Sequence, residues 1–275
     1  MSAAYETFLE AAILHFQRLK EGGVRFVSVQ GDVLSEIARL PHVVRRRGNP
    51  TPSSENPPAI TASARSLSPA KGNLLEALRA RALECVKCAH LAASRKNVVF
   101  GVGNPEAELM FVGEAPGADE DIEGEPFVGR AGQLLTKIIE TMGLSRQAVY
   151  IANILKCRPD TPGQSSGNRK PTPEEMKTCI PFLHEQIDII QPKVLVGLGG
   201  SALEGLLGKP GFITQLRGKW HTYRGIPLMP TYHPSYLLRN QQLSYKRQVW
   251  EDMLEVMMRL GMRISEKQRA YFLGA

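Results

Sequence analysis

The chain has 275 residues, of which 43% are hydrophobic and 22% charged. These proportions are typical of a globular protein and exclude collagen-like, coiled-coil and wholly disordered chains. The 34 basic and 27 acidic residues give a net charge of +7, which favours a polyanionic partner such as nucleic acid without requiring one. No apolar run reaches the roughly 18 residues of a membrane span. Glu6 and Glu10 do not fit the start of a signal peptide, so we expect a cytoplasmic protein with no membrane partner.

The first part of the chain divides into two segments of different composition. Residues 3–20 carry apolar side chains at helical spacing before a Gly-Gly pair, which predicts a helical extension over residues 1–40. Residues 41–72 hold six prolines, five serines, and five basic residues against one acidic residue. So few apolar residues predict a flexible linker. Its Arg45–Arg47 run favours a solvated linker over a loose tether for DNA.

Strands and helices alternate over residues 73–265, which predicts one domain followed by a tail at 266–275. Helical patterns lie at 131–142, from Thr172 onward and at 245–260, and short apolar runs predict strands at 109–112, 149–152, 194–198 and 228–231. This alternation predicts an α/β fold, a three-layer αβα domain with a central four-stranded, mainly parallel sheet. In such sheets ligands bind beyond the carboxyl ends of the strands.

The segment after the first predicted strand is rich in carboxylates and glycine. Residues 113–121 read GEAPGADED, with four carboxylates within eight residues. Glycine and proline keep such a loop tight and let its N–H groups approach a ligand. The carboxylates could position a water molecule or a cation, although a plain polar turn is the alternative interpretation.

Three further side chains are candidates for binding a planar base. Phe127 lies beside a glycine at a helix entrance and is either a core residue or a stacking platform. Asn153 ends the second strand, where its amide could either donate to and accept from one heterocycle edge or simply form a turn. His233 follows the fourth strand and could hydrogen-bond a developing negative charge, although lone histidines are often structural.

An apolar pair, Leu237 and Leu238, follows His233 on what we expect to be an exposed loop. Apolar residues on an exposed loop are unusual if the loop only contacts water. We therefore predict a wedge, assigned to Leu237, that enters the base stack when a nucleotide is extruded.

Four cysteines are too few for a disulfide scaffold in a chain of this length. Cys85 and Cys88 form a chelating pair, whereas Cys157 and Cys179 lie singly. A [4Fe–4S] cluster needs four thiolates and fits this spacing better than zinc, which usually takes two paired knuckles. Zinc and unrelated buried thiols stay open as alternatives.

Taken together, these segments resemble the family 4 uracil-DNA glycosylases, the iron–sulfur branch of the uracil-DNA glycosylase superfamily. The resemblance covers residues 75–260, and residues 1–70 and an insertion at 160–167 lie outside it. Its motifs are CVKC at 85–88, ELMFVGEAPGADEDIEGEPFVGRAGQLL at 108–135, VYIANILKCRP at 149–159 and PTYHPSYLLR at 230–239.

The resemblance implies that the protein flips uracil out of DNA and hydrolyses the glycosidic bond. By similarity, Phe127 stacks on uracil, Asn153 reads N3 and O4, and a neutral His233 hydrogen-bonds O2. The backbone at Glu114, Ala115 and Pro116 contacts the same base. The resemblance also implies a [4Fe–4S] cluster on Cys85, Cys88, Cys157 and Cys179.

One position departs from the best-known branch of the superfamily, where an aspartate in the first motif positions the attacking water. Ala115 stands at that place here. Glu114 and Glu120 are therefore the candidates for orienting water. Glu120 is also our candidate for excluding the C5-methyl group of thymine.

Beyond the base itself, we expect a monomer that binds uracil-containing DNA, single- or double-stranded. Residues 1–40 are a candidate site for a protein partner. Two other functions stay open: a uracil-DNA binding module without turnover, and a glycosylase for a broader set of deaminated bases. We expect the DNA phosphates to contact six cations, namely Lys156, Arg158, Arg169, Arg217, Lys219 and Arg239.

Overall fold

A computed structural model of the chain describes residues 69–160, 168–208 and 212–273. The expected helical extension, nearly all of the expected linker and residues 161–167 of the insertion lie outside these ranges. None of the helices within them is long and apolar enough to cross a membrane.

The core of the domain is a sheet, to which the described residues contribute six strands in the order β1-β3-β2-β4-β6-β5. Strands β2, β3, β4 and β6 pair in parallel, whereas β1 and β5 are antiparallel edges. The four parallel strands are the four that the sequence predicts, and the two edges are additional. The strands span β1 Val102–Gly103, β2 Leu109–Gly113, β3 Tyr150–Asn153, β4 Val194–Leu198, β5 His221–Tyr223 and β6 Ile226–Thr231.

Helices precede, connect and follow these strands. In chain order they are α1 Pro69–Leu83, α2 Ala89–Ser94, α3 Ala118–Glu123, α4 Arg130–Thr141, α5 Pro173–Ile190, α6 Gly200–Leu207, α7 Ile213–Leu216, α8 Pro234–Arg239, α9 Leu243–Arg259 and α10 Glu266–Ala270.

Both faces of the sheet are covered by helices, which confirms the three-layer αβα fold. Met110 and Val112 of β2 face the core formed with α1, α5 and α6. Leu109 and Phe111 face the opposite core, formed with α4 and α9. Because β2 is buried on both sides, its sequence is a continuous apolar run rather than an alternating one.

The predicted helix boundaries have the expected local chemistry. The Thr172 side chain accepts a hydrogen bond from the Glu175 N–H, and the Glu175 carboxylate accepts one from the Thr172 N–H, forming a capping box at the start of α5. After α4, Gly143 takes a φ of +84°, a conformation that glycine adopts readily at a helix end.

The folded domain extends further than predicted at both ends. Helix α1 begins at Pro69, inside the segment predicted as linker, and Lys71 of this helix pairs with Glu106. At the other end, residues predicted as a tail form α10, and the Trp250 Nε1–H donates to the Gln268 carbonyl at 2.5 Å. These contacts attach both segments to the domain.

Candidate active site

A cleft of about 630 Å³ lies beyond the carboxyl ends of the parallel strands. The segments that follow β2, β3, β4 and β6 all contribute to it, as expected for a parallel α/β sheet. The structure brings together there all seven residues proposed to contact the base or the water, namely Glu114, Ala115, Pro116, Glu120, Phe127, Asn153 and His233.

Gly113, the last residue of β2, lets two of these side chains meet. A Cβ atom at Gly113 would lie 2.6 Å from Phe127 Cζ and 2.3 Å from Asn153 Oδ1. Phe127 itself has a φ of +56°, which is uncommon for a residue other than glycine. This conformation and the missing side chain at Gly113 place a buried phenyl ring beside Asn153.

The Asn153 side chain is buried in the floor of the cleft, with 2% of the residue exposed. Its Oδ1 has no hydrogen-bond partner within the described part of the chain. A buried carbonyl without a partner is costly, and native proteins retain few of them. The amide oxygen is therefore available to accept a hydrogen bond from a ligand.

His233 lies on the other side of the cleft, with its ring centroid 5.6 Å from that of Phe127. Gly199, which follows β4, makes room for it, because a Cβ atom there would lie 2.9 Å from the His233 Cβ. Gly199 also has a φ of +90°, which side chains rarely tolerate. The turn after β4 thus positions the imidazole.

The hydrogen bonds of His233 define its tautomer. The Ser235 N–H donates to His233 Nδ1 at 3.1 Å, and the Ser235 Oγ lies 2.8 Å from the same nitrogen. Because a backbone N–H can only donate, Nδ1 is an acceptor and Nε2 carries the proton. Burial, followed by the charge of Arg239, lowers the His233 pKa to about 4. His233 is therefore a neutral Nε2–H donor at neutral pH.

The two candidate glutamates differ in how many of their oxygen atoms are engaged. The Glu120 Oε2 accepts from the Gly117 N–H at 3.0 Å, and its Oε1 accepts from the N–H groups of Val128 at 3.0 Å and Gly129 at 3.1 Å. This carboxylate therefore ties the loop after β2 to the segment that carries Phe127.

Glu114 has fewer such contacts. Its side chain accepts a hydrogen bond from Ser201, and burial raises its pKa although Lys170 opposes that shift. A partly buried carboxylate in a cleft, with its pKa moved toward neutrality, suits the binding and orientation of a polar ligand.

The expected position of the wedge is wrong in one respect. Leu237 and Leu238 lie on helix α8 rather than on an exposed loop. Leu237 is only 6% exposed and belongs to a small apolar cluster with Tyr232 and Val249. Leu238 is half-buried. The wedge role of Leu237 stays a prediction, and it would require this residue to leave its packing.

One of the six expected phosphate contacts, Lys156, is also wrong because this residue is buried, and a second, Arg217, is partly buried in an ion pair. Lys156 is 2% exposed and donates within the protein interior. Arg217 pairs with the buried Asp252, with Nη2 2.8 Å from Oδ1. Arg239 and Lys219 are exposed, and Arg239 lies at the cleft.

The remaining two expected cations lie close to the cleft residue Asn168. Arg158 Nε donates to Asn168 Oδ1 at 3.0 Å. Arg169 lines the cleft and pairs with Glu175, with Nη2 2.5 Å from Oε1. Since Arg169 is already paired, a phosphate would have to compete with Glu175 for it.

The four cysteines line one small cavity on the face of the sheet that α1 and α5 cover. Arg95 Nη1 donates to Cys157 Sγ at 3.2 Å, and the Lys156 N–H donates to Cys179 Sγ at 3.3 Å. None of the four forms a disulfide. Within the described ranges, no three His, Cys, Asp or Glu side chains form a group that could hold a metal ion.

Several residues of the site were not assigned from the sequence. Ser201 and Ser235 hold Glu114 and His233, and Gly199 gives the imidazole room. A signal was present, because Gly199 and Ser201 lie one and three residues after a predicted strand and Ser235 lies two residues after His233.

Comparison with known proteins identifies the family. Residues 100–254 match the family model described as the uracil DNA glycosylase superfamily. A type-4 uracil-DNA glycosylase of Thermotoga maritima is 46% identical over 183 residues, which are 65% of this chain and 91% of that protein. One from Sulfurisphaera tokodaii is 42% identical over 209 residues, covering 73% of this chain and 90% of that protein.

A more distant relative is the type-5 uracil-DNA glycosylase of Thermus thermophilus. It is 30% identical over 214 residues, which are 63% of this chain and 91% of that protein. The family model spans more than half of the chain, and the relatives are matched over nearly their whole length. The chain belongs to the uracil DNA glycosylase superfamily, as its resemblance to the family 4 enzymes indicates.

Proposed function

We propose that this protein is a uracil-DNA glycosylase, which hydrolyses the bond between uracil and deoxyribose in DNA and leaves an abasic site for base excision repair. The observation that carries the proposal is the presence of two hydrogen-bonding side chains, Asn153 and His233, near the Phe127 ring. Asn153 offers a buried acceptor without a partner, and His233 offers a neutral donor. A planar base with an N–H and carbonyl groups on its edge complements both.

Recognition of uracil rests on hydrogen-bond polarity at Asn153. Uracil presents an N3–H donor beside the O4 acceptor, and the Asn153 amide presents Oδ1 and an NH₂ group. Cytosine reverses both positions, with an unprotonated N3 and an amino group. An amide held with Oδ1 toward N3 therefore favours uracil, since cytosine would leave a buried polar group unpaired.

The chemical step places negative charge on the departing base. As the glycosidic bond breaks, the sugar gains oxocarbenium character and the uracil ring becomes anionic. The His233 Nε2–H would donate to uracil O2, where this charge accumulates. Such a preorganised donor stabilises the transition state more than the ground state.

Glu114 is the better candidate for orienting the attacking water. The oxygens of Glu120 already accept three backbone N–H groups, and a water would have to compete with them. Glu114 lines the cleft. Among the groups that shift its pKa, one side chain, the Ser201 hydroxyl, hydrogen-bonds to it. Its carboxylate could hold a water beside the anomeric carbon and accept the proton.

Base flipping gives an exposed cation at the cleft a role. A base inside a duplex cannot reach Asn153, so the nucleotide must rotate out of the stack. Arg239, exposed at the cleft, is suited to a neighbouring phosphate. Contacts of this kind supply salt-dependent affinity but no information about the base.

We further propose that the four cysteines hold a [4Fe–4S] cluster. Each thiolate of such a cluster binds a different iron, so four thiols around one cavity are a suitable donor set even though no three of them converge as they would on a single ion. The N–H groups of Arg95 and Lys156 that point at two sulfurs are typical of cluster sites. When bound, the cluster would cross-link the segment before α2, the segment after β3 and helix α5. Iron and sulfide analysis of anaerobically purified protein should give about four of each per chain, and bound zinc instead would contradict the proposal.

The function is tested with oligonucleotides that carry one uracil, thymine or cytosine at the same position. We expect uracil release and an alkali-labile abasic site from the uracil strand alone, in single- and double-stranded DNA, without added metal. Intact uracil DNA would contradict the proposal, and tight binding without release would favour a binding module instead. Release of hypoxanthine or xanthine at a similar rate would favour a broader glycosylase.

A further inference from the structure

Lys156 is a buried lysine that the proposed chemistry leaves without a role. It is three residues beyond Asn153 and directly before Cys157, so it lies between the cleft and the cysteine cavity. Only 2% of the residue is exposed. Removing an ammonium group from water is costly, and proteins retain one in the interior only where several groups compensate for it.

The Lys156 amino group makes three contacts in this interior. Nζ donates to the Asn153 backbone carbonyl at 2.8 Å and to Gln186 Oε1 at 2.6 Å. It also lies 5.7 Å from the centroid of the Phe100 ring. The side chain thus bends back onto the residue that we propose reads uracil.

Gln186 of α5 is itself held in one orientation. Its Nε2 donates to the Phe100 carbonyl at 2.9 Å and to the Tyr150 hydroxyl at 3.2 Å, and the residue is fully buried. Because the NH₂ group is engaged there, the Oε1 atom must face Lys156. The hydrogen-bond chain therefore anchors Lys156 to strand β3 and helix α5 at once.

The contact with Asn153 has a geometric consequence. Asn153 is the last residue of β3, so its carbonyl lies where the regular pairing of that strand ends. The carbonyl and the side chain share one Cα, and rotation of the peptide would move the amide. A displacement of about 1 Å in a binding group can lower activity by about 100-fold.

We propose that Lys156 is a positioning residue for uracil recognition: by holding the Asn153 carbonyl, it fixes the Asn153 amide against the uracil edge. The inference rests on the proposed function of the cleft. It assigns Lys156 an effect through Asn153, distinct from the phosphate contact expected from its sequence and from general support of the fold.

A double-mutant cycle tests this assignment. Single-turnover uracil release is measured for the wild type, Lys156→Met, Asn153→Ala and the double variant. We expect Lys156→Met to lower the rate roughly 10- to 100-fold. The same change in the Asn153→Ala background should cost less than about threefold, because the side chain being positioned is absent.

A second readout concerns selectivity. If Lys156 orients the Asn153 amide, Lys156→Met should weaken binding to a hydrolysis-resistant uracil oligonucleotide more than binding to the matching cytosine oligonucleotide, so the uracil-to-cytosine ratio of the two affinities falls. A loss of general stability would lower both affinities together and leave the ratio unchanged. Iron content and circular dichroism equal to wild type confirm that the cysteine site and the fold are intact, and Lys156→Gln replaces Lys156→Met if the latter does not fold.

The matched control is Lys193→Met, which alters an exposed lysine paired with Glu108 at the amino-terminal ends of β4 and β2, opposite the strand ends that carry the cleft. This variant should release uracil at the wild-type rate. Equal losses in both backgrounds, with an unchanged uracil-to-cytosine ratio, would overturn the inference. Failure of both the wild type and Lys193→Met to release uracil would instead overturn the proposed function, and the inference with it.

Discussion

The cleft and the cysteine cavity are joined by five consecutive residues, 153–157, yet they differ in whether their polar atoms have hydrogen-bond partners. In the cleft, Asn153 Oδ1 has no partner among the described residues, and the hydrogen bonds of His233 lie at Nδ1 alone. In the cavity, backbone and guanidinium N–H groups already point at the sulfurs of Cys157 and Cys179.

This difference indicates that turnover takes place in the cleft. A buried acceptor that stays unpaired in a cleft is available to a ligand that pairs with it transiently. Groups that are enclosed and hydrogen-bonded suit a permanent structural role. Changes in the cleft should therefore affect the rate of uracil release, whereas changes in the cavity should affect stability.

The largest effect on rate is expected at His233. His233→Gln removes the imidazole donor that would stabilise the uracil anion, and we expect single-turnover release to fall about 10³-fold. His184→Gln, which alters the histidine beside Tyr223 on another part of the surface, is the matched control. Iron content should stay at the wild-type level in both. A rate within a few-fold of wild type for His233→Gln would exclude His233 as the donor that stabilises the uracil anion.

The next effect is expected at Glu114 and should appear in the pH profile. Burial raises the pKa of this carboxyl, so the rate should fall as the pH drops through that raised value and the carboxylate becomes protonated. Glu114→Gln should lower the rate roughly 100-fold and abolish this decline. An unchanged profile in this variant would exclude Glu114 as the residue that orients water.

A smaller effect is expected at Phe127. Phe127→Leu keeps an apolar side chain but removes the flat ring on which uracil would stack, and we expect kcat/KM to fall about tenfold, mostly through KM. Phe111→Leu on β2 removes a ring from the core without reaching the cleft lining, so it serves as the control for packing. Equal values of KM in the two variants would mean that Phe127 only fills space.

The smallest effect on the rate is expected in the cavity, together with a large effect on stability. Cys85→Ser should remove the iron and lower the melting temperature by about 10 °C, because the cross-link between the segment before α2, the segment after β3 and helix α5 is lost. Below that temperature, uracil release should stay within about threefold of wild type. A loss as large as that of His233→Gln in folded protein would contradict the division between the two regions.

Much of the fold is predictable because it depends on local patterns. The parallel strands are continuous apolar runs because both of their faces are buried. The capping box at Thr172 predicts the start of α5. The edge strands β1 and β5 have two and three residues and no continuous apolar pattern. Their pairing depends on the neighbouring strand, which the local sequence does not specify.

The candidate site was predictable in its members but less so in their contacts. The motifs predict that Phe127, Asn153 and His233 belong to the site. The convergence of three N–H groups on Glu120 is seen only in the folded loop. The sequence predicts that Lys156 is exposed and contacts a phosphate. In the structure its amino group donates to the Asn153 carbonyl and to the Gln186 side chain, which lies thirty residues later in the chain. Such long-range compensation leaves no local signal.

The most direct test of the central claim is the state of the His233 ring, measured by ¹⁵N NMR of labelled protein at neutral pH. We predict a neutral imidazole protonated at Nε2, and a downfield shift of the Nε2 proton when free uracil is added, because that proton would enter a hydrogen bond to O2. An imidazolium, a ring protonated at Nδ1, or no response to uracil would contradict the account.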